Sequence, residues 1–199
     1  MTKIAPADVQ KLRQMTGAGM MAAKNALEEA NGEFEVAVEV LRHRGEATAA
    51  KKSDRATTAG LIDSYIHNGT IGVLVELGCE TDFVARTEDF KQFAHDLAMH
   101  VAAHDPEYSS PEAVPAEVLE REKSRFSDEA KAAGKPVEIV EKLVTGKLDK
   151  FYEQVCLTHQ PFVKDPDNTV EQVLTQLIAK LGENITITRY IRYSLNGAS

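Results

Sequence analysis

Residues 61–80, LIDSYIHNGTIGVLVELGCE, restrict the possible folds more than any other stretch of the chain. Two runs rich in β-branched and aromatic residues flank Asn68-Gly69, the dipeptide most favoured in a two-residue type I′ turn. The pattern therefore predicts a β-hairpin. One face of its second strand should be apolar, and the residues on that face are Ile71, Val73, Val75, Leu77 and Cys79.

The segment CETDFVART, residues 79–87, joins this hairpin to a helical pattern. A carboxylate and a phenyl ring, those of Asp82 and Phe83, stand side by side where the chain changes direction. Most phenylalanine side chains are buried, which would place Phe83 in the core. The alternative is that both side chains are exposed for another molecule to receive. The residues alone leave both interpretations open.

A helix is predicted directly after this corner. Thr87 can act as its N-cap, and Glu88 and Asp89 lie in its first turn, where acidic side chains suit the helix dipole. Apolar residues then recur at helical spacing and predict a buried stripe. They are Phe90, Phe93, Ala94, Leu97, Ala98 and Val101.

The C-terminal part of the sequence predicts an antiparallel helical insertion at about residues 115–155, broken at the sequence GKP, residues 134–136. Residues 160–168, QPFVKDPDN, are predicted to form a loop before a helix that Thr169 and Gln172 begin with a capping box. The final ITITRYIRYSL alternates strictly and is predicted to add a third strand to the hairpin. The expected fold class is therefore α+β, a three-stranded antiparallel sheet packed with helices.

The first 45 residues predict a small module of three short helices, the third ending at Gly45. Residues 46–57 are a linker, either helical or flexible, and residues 58–199 form the core domain. The helical stripes of the module are Val9, Leu12 and Thr16, then Met20, Ala23, Leu27 and Ala30, then Phe34, Ala37, Val38 and Leu41.

Met21 does not fit the apolar stripe of the second helix. Helical spacing places it on the polar face with Asn25 and Glu28. Methionine is an adaptable apolar side chain that is common at contact surfaces. A single exposed hydrophobic residue is also ordinary on any protein surface, so spacing alone leaves both interpretations open.

Charge and cysteine content exclude several classes of protein. A formal net charge of −8 argues against a nucleic-acid-binding protein, because neutralising phosphates requires a basic surface, although a local basic patch is not excluded. Two cysteines are too few for a disulfide framework and favour a reducing compartment. No run of about 18 apolar residues occurs. We therefore expect a soluble, cytoplasmic protein that does not contact membranes.

Motifs for catalysis are missing from the sequence. There is no glycine-rich nucleotide loop and no G-x-S-x-G turn, and neither cysteine has a recognisable catalytic setting. His100 and His104 have the spacing of a helical metal site, but a metalloprotease requires glutamate where Val101 stands. We expect no enzymatic activity, no cofactor and no resident metal.

Several stretches of the chain closely resemble the bacterial elongation factor Ts family. They are TGAGMM, KNALEEANGEFEVAVEVLRHRG, CETDFVAR, QPFVKD and IAKLGENITITRYIRYSL, and together they extend over essentially the whole chain. The length and the single sheet resemble the short form of the family. The resemblance implies a guanine-nucleotide exchange factor for elongation factor Tu, the GTPase that carries aminoacyl-tRNA to the ribosome.

The resemblance also implies roles for individual residues. The three-helix module is similar to ubiquitin-associated domains and is expected to bind the G domain of the GTPase through Arg13, Gly17, Gly19, Met20 and Met21. The segment Thr81, Asp82, Phe83 and Val84 is expected to enter near the magnesium site of the GTPase and to dislodge the ion.

Short-form members of the family pair with themselves, so the resemblance implies a homodimer through the core sheet. The sequence places Leu74 and Tyr190 on the second face of that sheet, which is not fully polar. Ile191 stands where a close short-form relative has cysteine, so self-pairing would depend on non-covalent burial. Direct contact with nucleic acid is not expected.

Two other hypotheses compete with the exchange factor. One is a helical binding scaffold that uses the surface around Met21 and has an inert TDFV corner. The other is a metallohydrolase built on the two histidines. Stimulated release of labelled GDP from elongation factor Tu separates the first hypothesis from these, and metal analysis tests the last.

Overall fold

The computed structural model describes residues 4–195, without the side chains of residues 137 and 138. The helices of this range are α1 (Pro6–Thr16), α2 (Met20–Glu29), α3 (Phe34–Ala50), α4 (Asp82–Ala85), α5 (Glu88–His104), α6 (Ala116–Ala132), α7 (Val137–Val155) and α8 (Val170–Leu181). The strands are β1 (Ala59–His67), β2 (Ile71–Cys79), β3 (Pro161–Phe162), β4 (Asp165–Thr169) and β5 (Ile185–Ser194). None of the described helices is both long and apolar enough to span a bilayer. The α+β class is confirmed.

The described chain forms two compact units. The first contains the described residues up to Asp63, Val75–His95 and Gln172–Thr188. The second contains Ser64–Leu74, Asp96–Glu171 and the described residues from Arg189 onward. Strands β1, β2 and β5 contribute residues to both units and form an antiparallel sheet in the order β1-β2-β5, as predicted.

The first three helices enclose a small apolar core of their own, which confirms most of the predicted stripes. Its buried members are Val9, Leu12, Ala23, Ala26, Leu27, Ala30 and Ala37. Met20 was predicted to join them, but half of its surface is exposed, 50%. Helical side chains lean toward the N-terminus, so the first residue of α2 extends past the helix end rather than into the core.

The sequence predicted that helix α3 ends at Gly45, but the helix continues to Ala50. Gly45 is buried, and a Cβ atom placed there would lie 3.7 Å from Thr175 Cγ2 and 3.8 Å from the Ala179 Cβ. The glycine therefore marks a close approach of α3 to α8, and tertiary packing outweighs its low helix propensity.

The hairpin has the predicted turn. Asn68 and Gly69 both have positive φ angles, 50° and 68°, as a type I′ turn requires. The Thr70 N–H donates to the His67 carbonyl at 3.0 Å and closes the turn. In β2, Val73, Val75, Leu77 and Cys79 are buried as the alternation predicted.

Helix α5 supplies much of the core, and its predicted stripe is confirmed. Every residue of that stripe, from Phe90 to Val101, is buried. Thr87 Oγ1 accepts a hydrogen bond from the Phe90 N–H at 3.3 Å, so Thr87 caps the helix as expected.

The helical insertion consists of α6 and α7, joined at Gly134, which has a φ of 67°. The two helices pack against each other, and Lys147 of α7 forms an ion pair with Glu129 of α6. The Lys147 ammonium also lies 5.3 Å from the centroid of the Phe126 ring. Helix α7 continues through Gly146 without a break.

The loop predicted for residues 160–168 is wrong, because part of it forms the two-stranded antiparallel sheet β3-β4. Phe162 is buried, 4% exposed, and its ring lies 5.8 Å from that of His100. Burial of one aromatic side chain holds this short sheet, although Pro, Asp and Asn are unfavourable in strands.

The predicted face of β5 is also wrong for Tyr190. Its hydroxyl donates to the Pro106 carbonyl at 3.1 Å, and Arg192 forms an ion pair with Asp105 at 2.9 Å. Ile191 and Tyr193 are the exposed residues of this half of the strand, 44% and 65%. The covered and exposed sides of this half of β5 are therefore the reverse of those expected. A shift of one residue is enough to exchange the two faces of a strand, and the sequence alternation alone does not reveal it.

His100 is a buried histidine whose two ring nitrogens both have protein partners. The Val163 N–H donates to Nδ1 at 3.2 Å, so the ring proton lies on Nε2, which donates to Gln160 Oε1 at 2.9 Å. Burial lowers the pKa of His100 to about 4, while the bond to Gln160 opposes the shift and the nearby His104 adds slightly to it.

We expect the free energy of unfolding to decrease as the pH is lowered, because of His100. Its folded pKa, about 4, lies below the ordinary 6.5, so between these values the unfolded chain binds a proton that the folded chain does not. This stabilising contribution is complete above pH 6.5 and is lost at up to about 1.4 kcal/mol per pH unit as the pH falls toward 4. Urea unfolding at pH 7, 6 and 5 measures the slope.

His100→Gln should flatten that slope, whatever it does to stability at pH 7. His104→Gln is the matched control and should keep most of it, because burial rather than the charge of His104 is the main cause. An unchanged slope in His100→Gln would show that other groups produce it.

Candidate functional site: an exposed corner between a strand and a helix

The candidate site is the corner segment, Thr81–Val84, which lies in the first unit. Strand β2 ends at Cys79, Thr81 has extended backbone angles, and the single turn of α4 follows before α5 begins. The Thr87 N–H donates to the Val84 carbonyl at 3.0 Å and closes the turn. The chain therefore reverses from strand to helix within a few residues.

Phe83 lies on the solvent side of this turn. Its side chain is 78% exposed, whereas Val84 and Ala85 are 9% and 8% exposed. A single helical turn has one buried side and one open side, and the sequence places the two small apolar residues on the buried one. The interpretation of Phe83 as a core residue is wrong.

Asp82 is also exposed, and its Oδ2 accepts from the Arg86 guanidinium at 2.7 Å. An exposed ion pair of this kind contributes little to stability, about 0–1 kcal/mol, because water screens it. The carboxylate can therefore exchange Arg86 for another cationic or polar partner at small cost.

A buried cysteine lies two residues before the corner segment. Cys79 is buried, and its thiol donates to the Thr81 carbonyl at 3.1 Å. Burial, followed by the charge of Glu183, raises the pKa of the Cys79 thiol. This cysteine is a structural residue, as expected from its place on the inner face of β2.

Two glutamates join the corner segment to the junction between α8 and β5. Glu183 accepts the Thr81 N–H at 2.9 Å and the Thr81 hydroxyl at 2.6 Å. Glu80 accepts the Asn184 N–H at 2.7 Å, and this bond is the main reason that the pKa of its carboxyl is lowered. Asn184 is buried and donates through its side chain to the carbonyl of Arg55 at 2.8 Å.

Sequence reasoning missed Glu183 and Asn184. Their partners are more than a hundred residues away, 102 positions for Thr81 and 104 for Glu80, and no local pattern signals such a bond. The nearest clue is Gly182, whose φ of 76° ends α8 and directs the chain back toward the corner segment.

The residues expected to bind a partner through the N-terminal module flank the turn between α1 and α2. Arg13 is exposed, Gly17 has a φ of 67° and Gly19 is the N-cap of α2. Nothing lies within 4 Å of a Cβ placed on either glycine, so this turn is open.

Three exposed methionines border the same turn, and we call Met15, Met20 and Met21 the methionine surface. They are 62%, 50% and 64% exposed. The sequence pattern identified Met21 as exposed but missed Met15, which lies near the end of α1. Three flexible apolar side chains together exceed the single exposed hydrophobic residue that is ordinary on a surface.

The histidines do not form a metal site. His100 uses both ring nitrogens within the protein, and His104 stacks on it with ring centroids 4.3 Å apart. Among the residues that the structure describes, no group of three His, Cys, Asp or Glu side chains could hold a metal ion. The metallohydrolase hypothesis has no geometric support.

The fold therefore holds an acidic and an aromatic side chain, those of Asp82 and Phe83, in solvent at a corner whose backbone is hydrogen-bonded. The family model described as "Elongation factor TS" matches residues 7–196 of the chain. Elongation factor Ts of Carboxydothermus hydrogenoformans is 55% identical over 188 residues, 94% of this chain and 87% of that protein. The protein of the same name from Moorella thermoacetica is 53% identical over 193 residues, 96% and 95% of the two chains.

The chain belongs to the elongation factor Ts family. Membership implies a translation elongation factor that acts in nucleotide exchange on elongation factor Tu.

A pair of phenylalanine truncations tests the geometry of the corner. Phe83→Ala should leave the free energy of unfolding nearly unchanged, because the ring is 78% exposed. Phe90→Ala is the matched control and should cost about 3–5 kcal/mol, since that ring is fully buried seven positions away. Urea unfolding of both variants checks this, and a loss of several kcal/mol in Phe83→Ala would place its ring in the core.

Proposed function

We propose that the chain binds elongation factor Tu with GDP and inserts the corner segment next to the magnesium site of the GTPase, which dislodges the ion and releases GDP. GTP can then bind in its place. The observation that carries the proposal is the 78% exposure of Phe83 on a corner whose backbone is held by hydrogen bonds. An exposed aromatic ring on an ordered corner is suited to insertion, because little conformational entropy remains to be lost.

Burial of the Phe83 ring can supply the energy for exchange. A phenylalanine side chain contributes about 1.5–3 kcal/mol when it leaves water. This energy favours exchange only if the receiving pocket exists in the GTPase state that holds nucleotide loosely. Magnesium neutralises the phosphates of bound nucleotide, so its loss leaves the diphosphate with fewer charge partners.

The exchange needs no covalent step in this chain, and it is reversible. If the chain weakens nucleotide binding, nucleotide must weaken binding of the chain by the same factor. Incoming GTP therefore expels the chain, and neither protein is consumed.

The N-terminal module provides the affinity in this proposal. The methionine surface and the open turn at Gly17 and Gly19 support a docking role for the module on the G domain of the GTPase. Methionine side chains adapt to the partner surface at small cost, since they have three rotatable bonds. Docking at one surface and insertion at another separate binding from exchange.

We also propose that two copies of the chain associate through the open face of the sheet. Within the second unit this face exposes Ile66, Leu74, Ile191 and Tyr193, between 44% and 65% of each side chain. Both cysteines are buried, so no disulfide joins the copies. The chain would act in the cytoplasm, where translation takes place, without contacting nucleic acid or membrane itself.

Exchange kinetics test the corner segment. Phe83→Ala should lower the maximal rate of GDP release about ten- to a hundredfold, the loss that corresponds to 1.5–3 kcal/mol of burial. Asp82→Ala should act at the same step, so the double variant should be less than additive. Release of labelled GDP from elongation factor Tu at saturating concentrations of each variant gives the rates.

Met21→Ala is the matched control for this assay. It removes an apolar side chain of the docking surface, so it should raise the concentration needed for half-maximal release and leave the maximal rate unchanged. Phe83→Ala with normal maximal release would refute insertion, and an inactive wild-type chain would refute the proposed function.

Self-association is expected to survive reducing agents, because it depends on apolar burial. Ile191→Lys places a charge on the exposed face at strand β5 and should convert the dimer to a folded monomer, whose thermal stability falls only by what association contributed. Glu171→Lys, at an exposed position on α8, is the control and should remain dimeric. Sedimentation at micromolar concentration measures both, and a monomeric wild-type chain would contradict the dimer.

A further inference from the structure

The side chain of Thr81 forms a hydrogen bond that is unusual for an N-cap residue. It occupies the N-cap of α4 with extended angles, φ −130° and ψ 157°, yet its side chain forms no capping bond to the turn. A threonine in this position ordinarily accepts a backbone N–H of the first turn through its hydroxyl oxygen. Here the hydroxyl donates to Glu183 Oε1 at 2.6 Å instead.

The backbone of the same residue is bound by the same carboxylate. The Thr81 N–H donates to Glu183 Oε2 at 2.9 Å, so the two oxygens of one side chain fix both the backbone and the hydroxyl of the first corner residue. Hydrogen bonds to a carboxylate are shorter and stronger than neutral ones, and a two-point contact also fixes orientation. Phe83 follows Thr81 by two residues, so this contact fixes the backbone directly before the turn that carries its ring.

Glu183 is itself held in place. It follows Gly182, whose left-handed backbone ends α8. The Gly182 carbonyl accepts a hydrogen bond from the Lys52 ammonium at 2.5 Å. The next residue, Asn184, is buried and bonded to Glu80 and to the carbonyls of Ser53 and Arg55. Glu183 is thus a partly buried carboxylate on a constrained backbone, and such a side chain can hold a neighbouring segment in place.

We infer that Glu183 is a positioning residue for nucleotide exchange: it binds Thr81 at two points and thereby holds Phe83 in the orientation for insertion into the GTPase. Glu183 does not contact nucleotide or magnesium in this role and acts only through the corner segment. The inference rests on the proposed function, since a positioned ring matters only if it is inserted.

The test is a double-mutant cycle in the GDP-release assay. Glu183→Gln keeps the size of the side chain but removes its charge, so the two charge-assisted hydrogen bonds to Thr81 become neutral ones of about half the strength. Its maximal rate should fall about tenfold, less than the roughly hundredfold loss that a full 1 Å displacement can cause. The concentration for half-maximal release should stay within about twofold, because the methionine surface is unchanged.

The decisive comparison is made in the Phe83→Ala background. If Glu183 acts through the ring, Glu183→Gln should change the rate of that variant by less than about twofold. A merely stabilising role would lower the rate by the same factor in both backgrounds. Glu171→Gln, at an exposed position on α8, is the matched control and should release GDP at the wild-type rate.

Thr81→Val provides a second route in case Glu183→Gln does not fold. It removes only the hydroxyl donor, and it too should lower the maximal rate without affecting the Phe83→Ala variant. Normal rates, or equal losses in both backgrounds, would overturn the role of Glu183. If wild-type chain accelerates release and Phe83→Ala does not, the proposed function stands even where this inference fails; if wild-type chain is inactive, both fail.

Discussion

The hydrogen bonds between Thr81 and Glu183 fix the part of the structure on which the proposed exchange mechanism depends. They join residues 102 positions apart, and they act together with the bond from Asn184 to Glu80. Each glutamate binds the backbone of the opposite segment, so the corner and the junction between α8 and β5 hold each other. An exposed phenyl ring needs such support, because it gains little from its own contacts in the free protein.

The apolar core supplies the platform for these polar contacts. Strand β2 and helix α5 bury their predicted faces immediately before and after the corner, from Val73 to Cys79 and from Phe90 to Val101. The two buried elements leave only a few residues to make the turn. Val84 and Ala85 anchor that turn from below, and Phe83 is left in solvent. Core packing thus determines which residue of the segment a partner can reach.

Sequence patterns predicted the elements in which local chemistry and burial agree. The turn at Asn68-Gly69, the alternation of β2, the Thr87 cap and the α5 stripe all follow from spacing and side-chain type. The orientation of Phe83 could not be predicted in this way, since a phenyl ring suits both a core and a contact surface.

Three of the wrong predictions share a cause, which is contact between distant segments. Packing against α8 lets α3 continue through Gly45, and burial of Phe162 turns an expected loop into β3 and β4. Tyr190 lies on the covered side of β5, where its hydroxyl donates to the Pro106 carbonyl. The contact of Glu183 with the corner segment likewise could not be predicted, because its partner Thr81 lies 102 positions away in the sequence.

The proposed mechanism requires the Phe83 ring to be solvated in the free chain and buried in the complex. The chain contains no tryptophan, so Phe83→Trp introduces its only indole at the site in question. Adding elongation factor Tu with GDP should shift the emission of this indole to the blue and protect it from iodide quenching. Glu171→Trp, at an exposed position on α8, is the control and should change less. If GDP release is accelerated while the emission at residue 83 remains that of a solvated indole, this ring is not inserted.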